Sequence, residues 1–335
     1  MTLPSPVRIL SCHASYHCRH AGACCTSNWP IPIEADRLTS IRAALATGRL
    51  QPAVGNRESA VDAAPDAPAE TPAILGRAAH QCVFYDRSPA AAAGRCHIHS
   101  ALGHDELPLA CRQFPRVSAH DPRGVSITLS HYCPTAAGLL NAEPPDDELT
   151  IVVNPVGFPA TGEYVGLDAR TALPPLLRQN MLMDWASWWT CEDLAVGLFG
   201  ASEDPAAAMQ RLRAAVADLE TWSPEDGPLI DRVNHAFASA ITRSAPIAPP
   251  DRPQVIDAVF ASIPADLRPP SFPVAQETSL LATRRYLAAH AFGSWAIHRE
   301  GGLRSWLMSI ESAAALIDAG AGVRQGDLLL RHLAE

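Results

Sequence analysis

The sequence predicts an α+β protein in which a small cysteine-rich metal-binding module is followed by a mostly helical domain. Eight of the nine cysteines fall between residues 12 and 133, where even spacing would place about three. Short strand-like segments interrupted by turns fill the same stretch, whereas apolar residues at helical spacing dominate the rest of the chain. We therefore predict a metal-binding module over residues 1–150 and a helical domain over residues 151–335.

The first module is expected to contain short elements. PVRIL predicts a strand, and a helix should run from Glu34 to Thr47 and end at Gly48. Residues 51–72 are rich in alanine, proline and acidic residues, which indicates a flexible surface loop. Further strands are expected at HQCVFYD, CHIH, GVSITLS and TIVVN, and a short helix over Leu107–Phe114.

The second module is expected to be entirely helical. Its apolar residues recur at helical spacing in seven segments: LPPLLRQNMLMDWASWW, TCEDLAVGLF, DPAAAMQRLRAAVADLE, PLIDRVNHAFASAITR, PQVIDAVFASI, ETSLLATRRYLAAHAFGSWAIHR and LRSWLMSIESAAALIDAG. Thr190 and Thr278 are placed where N-terminal caps belong. Trp185, Trp188 and Trp189 lie at helical spacing, so we expect them in the core.

Composition excludes several classes of function. The formal net charge is −9, and every basic residue other than histidine is arginine, because the chain contains no lysine. An acidic surface argues against nucleic acid as a partner, and the missing lysine excludes Schiff-base chemistry. The amino terminus has no secretory pattern, and no apolar run reaches the ~20 residues of a membrane helix. We expect a cytoplasmic protein without membrane insertion, whose thiols stay reduced.

Clustered cysteines in a reducing compartment more often bind metal than pair as disulfides. Eight thiols match two sites of four sulfurs, and thiolates suit both zinc and iron–sulfur clusters such as 4Fe-4S. Cys24 and Cys25 are neighbours, so we expect them to bind two different centres, or one of them to support a ligand without binding metal itself. A disulfide framework or a set of buried free thiols are the alternatives. The candidate metal ligands are Cys12, Cys18, Cys24, Cys25, Cys82, Cys96, Cys111 and Cys133.

Histidines and arginines lie close to these cysteines in the sequence. Alternation along a strand would place His97 and His99 on opposite faces, so at most one could join Cys96 in a site. Arginines adjoin three of the cysteines and would compensate the negative charge of a four-thiolate centre. They are Arg19, Arg95 and Arg112.

The order of these motifs resembles a family of cysteine-cluster proteins described as zinc- or iron-chelating. CRHAGACC is followed by PIPIEADRL, then by CVFYDRSPAAAAGRCHIHSALGHDELPLACRQFPR and SHYCPTAAGLL. Within that family the sequence looks most like the flagellin lysine N-methylases, over roughly residues 8–142. The shared residues are Cys82 with Phe84, Cys96 with His99, Leu102 with Gly103, Cys111 with Phe114, Pro115 and Arg116, and the segment Cys133–Ala137.

The resemblance implies a metal centre and the transfer of a methyl group from S-adenosylmethionine to a lysine side chain of a protein such as flagellin. Such a transfer needs a neutral amine, and therefore a desolvating pocket or a base. No glycine-rich turn after a strand marks a site for the cofactor, so the catalytic and cofactor-binding residues stay unassigned. The polar candidates for a base are Tyr85, Asp86, His99, Asp105 and Tyr132.

Three functions are consistent with this sequence. The first is a metal-cluster-dependent protein lysine methylase. The second is a zinc- or iron–sulfur-binding protein in metal handling or redox chemistry, without methyltransferase activity. The third is a module in which the metal only stabilises the fold.

Overall fold

The computed structural model describes residues 5–27, 29–64, 68–78, 81–87, 94–142, 149–202, 204–242, 257, 259, 261 and 278–333. These residues form helices and short strands, with more helix than strand, which is compatible with the α+β class. The chain divides into two compact units. The first unit comprises Met1–Tyr16, Arg116–Tyr132 and Ala136–Glu335, and the second comprises His17–Pro115 and Cys133–Thr135. The units are thus discontinuous in sequence and are not separated at residue 150.

A five-stranded mixed sheet explains this discontinuity in the first unit. Its strands are β1 (Val7–Leu10), β9 (Arg116–Asp121), β10 (Gly124–Leu129), β11 (Ile151–Val153) and β12 (Leu167–Asp168). They lie in the order β11-β1-β10-β9-β12. β1 is parallel to β10 and antiparallel to β11, and β9 and β10 form an antiparallel pair. The strands predicted at PVRIL, GVSITLS and TIVVN are confirmed as β1, β10 and β11.

The centre of this sheet is covered on both faces. Every residue of β1 and β10 is buried, so neither strand shows the alternation of a strand with one face in water. Gly124 has a φ of 137°, and a Cβ atom there would lie 2.2 Å from the carbonyl oxygen of Pro6. Glycine therefore allows β10 to begin directly against the chain that leads into β1.

Beyond the sheet, the described part of the first unit contains six helices of seven residues or more. They are α6 (Trp185–Ala201), α7 (Pro205–Leu219), α8 (Leu229–Thr242), α9 (Leu280–Ala291), α10 (Leu303–Asp318) and α11 (Gly322–Leu328). One continuous apolar core contains residues of the first five, including Phe199, Leu212, Phe237, Tyr286 and Trp306, and Val323 of α11 packs against it. No helix among the described residues is long and apolar enough to cross a membrane.

Two predicted helix starts are wrong. α6 begins at Trp185, because the Asp184 carboxylate accepts a hydrogen bond from the Ser187 amide at 2.8 Å, so Thr190 lies inside a single helix. The apolar residues before it form a hairpin of β13 (Leu176–Arg178) and β14 (Met181–Leu182). The Ser279 hydroxyl, one residue after Thr278, caps α9 in the same way. The helix predicted at PQVIDAVFASI lies largely outside the described residues.

The tryptophans of α6 are core residues, as predicted. Trp188 is 2% exposed and belongs to the apolar core. Trp185 and Trp189 are partly buried against it, with ring centroids 6.1 Å apart.

The second unit consists of short elements around a smaller core. Its helices are α1 (Ala23–Thr26), α2 (Ala35–Ala46), α3 (His97–Leu102) and α4 (Leu109–Gln113). A three-stranded antiparallel sheet has the order β2-β4-β3, and two hairpins pair β5 with β6 and β7 with β8. The strands are β2 (Pro32–Ile33), β3 (Val61–Ala63), β4 (Ala73–Leu75), β5 (Arg77–Ala78), β6 (Gln81–Cys82), β7 (Tyr85–Asp86) and β8 (Arg95–Cys96). A further helix, α5 (Pro134–Leu139), begins directly after Cys133.

Two local predictions for this unit need correction. CHIH is not a strand, because β8 ends at Cys96 and the following six residues form α3. Its histidines therefore follow helical geometry rather than alternating across a sheet. Within residues 51–72, predicted as a loop, Val61–Ala63 forms β3 and pairs with β4. The alanine and proline content concealed this strand, which tertiary pairing stabilises.

Candidate metal centre

Five thiols from four separate segments meet on the core of the second unit. Cys25 and Cys82 are members of this core, and Cys24, Cys96 and Cys111 pack against it. The vicinal pair lies on α1, Cys82 ends β6, Cys96 ends β8 and Cys111 lies on α4. Segments up to 87 residues apart in sequence thus contribute thiols to one core.

Tyr85 organises the backbone around these thiols. A Cβ atom at Gly22 would lie 2.0 Å from the Tyr85 hydroxyl oxygen, and one at Gly94 would lie 1.8 Å from it. Gly22 also has a φ of 74°, which glycine adopts without strain. Both glycines therefore give the tyrosine room, and they lie two residues before Cys24 and Cys96, respectively.

Arg77 fixes the segment that follows the vicinal pair. Its guanidinium donates hydrogen bonds to the carbonyl oxygens of Ser27 and Trp29, which follow α1. Arg77 also pairs with Cys82 across the β5–β6 hairpin. The same residue therefore ties the segment after Cys25 to the strand that carries Cys82.

The two vicinal thiols are chemically different. Their sulfur atoms are 3.7 Å apart and share a hydrogen bond. The hydrogen bond with Cys25, which outweighs the effect of burial, lowers the pKa of the Cys24 thiol. The same hydrogen bond, followed by burial, raises the pKa of Cys25. These directions make Cys24 the better thiolate of the pair.

The other three thiols are neutral in the metal-free protein. Burial raises the pKa of Cys82 to about 12, and it also raises the pKa of Cys96. The pKa of Cys111 lies well above its ordinary value because of burial and of the nearby Cys24, Cys82 and Cys96. Four thiols close enough to influence one another's ionisation form a soft donor set, which suits a metal that displaces their protons.

The arrangement does not fit a single bound ion. Within the described ranges, no group of three or more histidine, cysteine, aspartate or glutamate residues is disposed to hold one metal ion. Tetrahedral zinc at about 2.3 Å from each sulfur needs ligands packed closely around one point. An iron–sulfur cluster takes each thiolate on a separate iron, so its ligands surround a larger volume. Thiolates suit both kinds of centre, so the donor chemistry of the five thiols leaves zinc and an iron–sulfur cluster open.

None of the remaining predicted ligands belongs to the core of the second unit or packs against it. Cys12 is buried in the first unit, where burial raises its pKa to about 12. Cys18 is exposed, and its sulfur accepts a hydrogen bond from the His20 amide at 3.4 Å. Cys133 is buried and belongs to the second unit. Cys191, which the sequence left out of the site, is fully buried in the core of the first unit.

The histidines and polar candidates of the second unit are spread over its surface. His97 Nδ1 donates to the carbonyl oxygen of Gln51 at 2.9 Å, and its Nε2 lies 3.9 Å from the Asp86 carboxylate. The His99 ring lies between His20 and His104, with centroids 5.5 Å and 6.0 Å away, and burial followed by their charges lowers its pKa.

The other candidate bases do not meet at one place. Tyr85 is buried beside the vicinal thiols, and burial raises its pKa. The Asp105 side chain is 97% exposed. Tyr132 belongs to the first unit, where the guanidinium of Arg324 lies 5.7 Å from its ring centroid.

A buried polar network in the first unit was not anticipated. The Asp327 carboxylate accepts hydrogen bonds from Arg331 Nε at 2.8 Å and from Ser130 Oγ at 2.7 Å. His131 Nδ1 and His290 Nε2 lie 3.7 Å and 3.5 Å from the same oxygen, Oδ1. The histidines sit in apolar stretches far apart in sequence, so no local pattern marks them.

In this network, neighbouring charges and burial shift the pKa values in opposite directions. Burial is the main reason why the pKa of His131 is lowered and that of His290 falls to about 4. Burial alone would raise the pKa of Asp327, but the charge of Arg331 and the nearby imidazoles of both histidines hold it well below its ordinary value. An ionised carboxylate beside neutral imidazoles is therefore the stable state at neutral pH.

Comparison with known proteins adds no relative. No protein-family model, no curated protein and no solved structure matches this chain.

Proposed function

We propose that the second unit holds a thiolate-ligated metal centre, an iron–sulfur cluster, with Cys24, Cys82, Cys96 and Cys111 as its ligands. One observation carries this proposal: these four thiols reach one core from four segments and influence one another's ionisation. When bound, the cluster would supply a redox-active or Lewis-acidic iron centre. The chain itself supplies the ligands and the apolar core around them.

Cys25 has a separate role in this proposal. The other four thiols, one from each segment, already supply the four ligands of such a centre. The Cys25 sulfur lies 3.7 Å from that of Cys24, within hydrogen-bond distance. Hydrogen bonds to a ligating sulfur tune the properties of a cluster, and Cys25 is placed to provide one.

The activity that we propose for the chain is the methylation of lysine side chains in a protein such as flagellin, with S-adenosylmethionine as the methyl donor. Its support is the resemblance of the motifs, and the segments that carry those motifs also carry the four proposed ligands. The alternative is metal handling or redox chemistry without methyl transfer. The thiol cluster is as consistent with this alternative as with the methylase.

The metal centre is tested by anaerobic reconstitution of the full chain with iron and sulfide. We expect bound iron and sulfide, with broad visible absorbance, in the parent protein and in Cys191→Ser. Replacement of Cys96 or Cys111 by serine should abolish both. Zinc binding in place of iron, or full iron retention in the Cys96 and Cys111 variants, would contradict the cluster.

The activity needs a separate measurement. Reconstituted protein should retain S-adenosylmethionine in equilibrium dialysis, and mass spectrometry should detect new methyl-lysine on a supplied flagellin. A protein that holds the cluster but neither binds the methyl donor nor changes the methyl-lysines would support the metal-handling alternative.

A further inference from the structure

A basic depression lies on the second unit beside the helix that follows Cys96. It is open to solvent, has a volume of about 360 Å³ and is lined by Gly48, Arg49, Gln51, Arg95, His97 and Ser100, among others. Leu50, which is fully buried, forms part of its floor. A depression of this size suits a small molecule.

Two arginines at this depression are held by neutral acceptors. Arg49 Nη2 donates to the carbonyl oxygen of Ala101 at 3.3 Å, and Arg95 Nε donates to the Ser100 hydroxyl at 3.0 Å. Within the described residues, neither guanidinium has a carboxylate at ion-pair distance. Each group offers five N–H donors, and these contacts use one of them, so donors remain for a ligand.

Two further basic groups border the same place. Gly48 has a φ of 75°, and a Cβ atom there would lie 3.2 Å from an Nη atom of Arg57, so this guanidinium reaches the rim. His97 is fixed by its Nδ1 hydrogen bond to Gln51 at 2.9 Å. The Asp86 carboxylate, 3.9 Å from His97 Nε2, offsets part of the positive charge but not that of three guanidinium groups.

Three guanidinium groups therefore gather in a protein of net negative charge. With 35 aspartates and glutamates and 26 arginines, carboxylates are in excess. Some exposed arginines use them, as Arg170 does with Asp168 and Arg304 does with Glu220. Like charges gathered at one place repel one another, Asp86 offsets only part of this charge, and a bound anion would relieve the rest.

We propose that this depression binds the oxyanion group of a small molecule, either a phosphate or a carboxylate. The planar fork of a guanidinium matches both groups, and charge-assisted hydrogen bonds from Arg49 and Arg95 would hold the oxygens. This site uses none of the thiols and does not depend on the metal centre.

Isothermal titration calorimetry with the full chain at low ionic strength tests this site, with inorganic phosphate and acetate as separate probes. We expect a Kd on the order of 1 mM for the preferred anion. Arg49→Gln and Arg95→Gln should each weaken binding about tenfold. Both side chains are exposed, so circular dichroism of the variants should match that of the parent. Arg42→Gln, an exposed arginine on α2 outside the depression, should bind as the parent does.

The two probes separate the two sources of the oxyanion. Tighter binding of phosphate would indicate a phosphorylated metabolite, and tighter binding of acetate would indicate a carboxylate ligand. Absence of binding by both anions would overturn the proposal. Equal loss of affinity in Arg42→Gln and Arg95→Gln would also overturn it, because such a result would show only nonspecific attraction of anions to arginine.

Discussion

The Nε2 atoms of His13 and His131 lie 2.9 Å apart, and neither side chain is accessible to solvent. One nitrogen must donate and the other must accept. His131 Nδ1 lies 3.7 Å from the Asp327 carboxylate. Protonation of both imidazoles would leave two N–H donors facing each other and would break the contact between them.

Acidification should unfold the first unit through these histidines. Burial lowers the pKa of His290 to about 4, and it also lowers those of His13 and His131. The unfolded chain then binds more protons below about pH 6.5, so stability is present above that pH and is lost as the pH falls towards 4. His290 alone accounts for up to about 3 kcal/mol. Urea denaturation between pH 7 and 4 measures the loss.

His290→Gln removes one of these titrating groups and should flatten the dependence of unfolding free energy on pH. His235→Gln, at an exposed histidine of α8, should leave it unchanged. Identical pH profiles for the parent and His290→Gln would show that this buried histidine does not drive acid unfolding.

Asp327→Asn should strongly destabilise the first unit. It leaves the buried guanidinium of Arg331, 2.8 Å away, opposite a neutral amide. Breaking a buried charge pair in this way costs about 3–5 kcal/mol. The matched change Asp168→Asn breaks an exposed pair with Arg170 and should have no measurable effect. Thermal unfolding followed by tryptophan fluorescence compares the two, and equal shifts in Tm would contradict the assignment.

The sequence predicted elements well where a local pattern is decisive. β1, β10 and α2 follow from short apolar runs and from a helix ending at Gly48, whose φ of 75° explains the stop. The sequence predicts a strand at CHIH because the segment is short and bounded by turn residues. The chain instead turns into α3 directly after Cys96. A segment of four residues contains too little periodicity to separate the two.

The sequence predicted the thiol site only in part, for a similar reason. Clustering in sequence identified the thiols, but it could not show that Cys24, Cys82, Cys96 and Cys111 meet while Cys12 lies in the other unit. That distinction depends on the strands β9 and β10, which return the chain to the first unit. The Asp327 network was not predictable, because its members join only through long-range packing.

Gly22→Ala should disturb the thiol site. The new Cβ atom would lie 2.0 Å from the Tyr85 hydroxyl oxygen, and the φ of 74° disfavours alanine. We expect a loss of at least about 1 kcal/mol in stability and a lower iron content after reconstitution. Gly138→Ala is the control, because a Cβ atom there meets nothing within 4 Å. Unchanged iron content in Gly22→Ala would show that Tyr85 does not organise the site.

Replacement of Cys24 and replacement of Cys25 by serine should affect the metal centre differently. Cys24→Ser removes the thiol of lowered pKa and should abolish cluster binding, because a hydroxyl is a poor ligand for iron. Cys25→Ser keeps a hydrogen-bond donor 3.7 Å from the ligand position and should retain the cluster, with a shifted reduction potential. Iron analysis and redox titration of both variants measure these effects. Equal loss of iron from both would make Cys25 a ligand in its own right.

Removal of the metal should loosen the second unit and leave the first unit folded. The second unit consists of helices of at most 12 residues and strands of two or three, so its apolar core is small. Metal binding should therefore contribute several kcal/mol, on the order of the energies of structural metal sites. Hydrogen exchange measured by mass spectrometry, before and after chelation of the reconstituted protein, should show faster exchange in residues 17–115. The helices α6, α7 and α10 provide the internal reference, because their core contains no proposed ligand. Equal acceleration in both units, or none in either, would refute a stabilising role of the metal in the second unit.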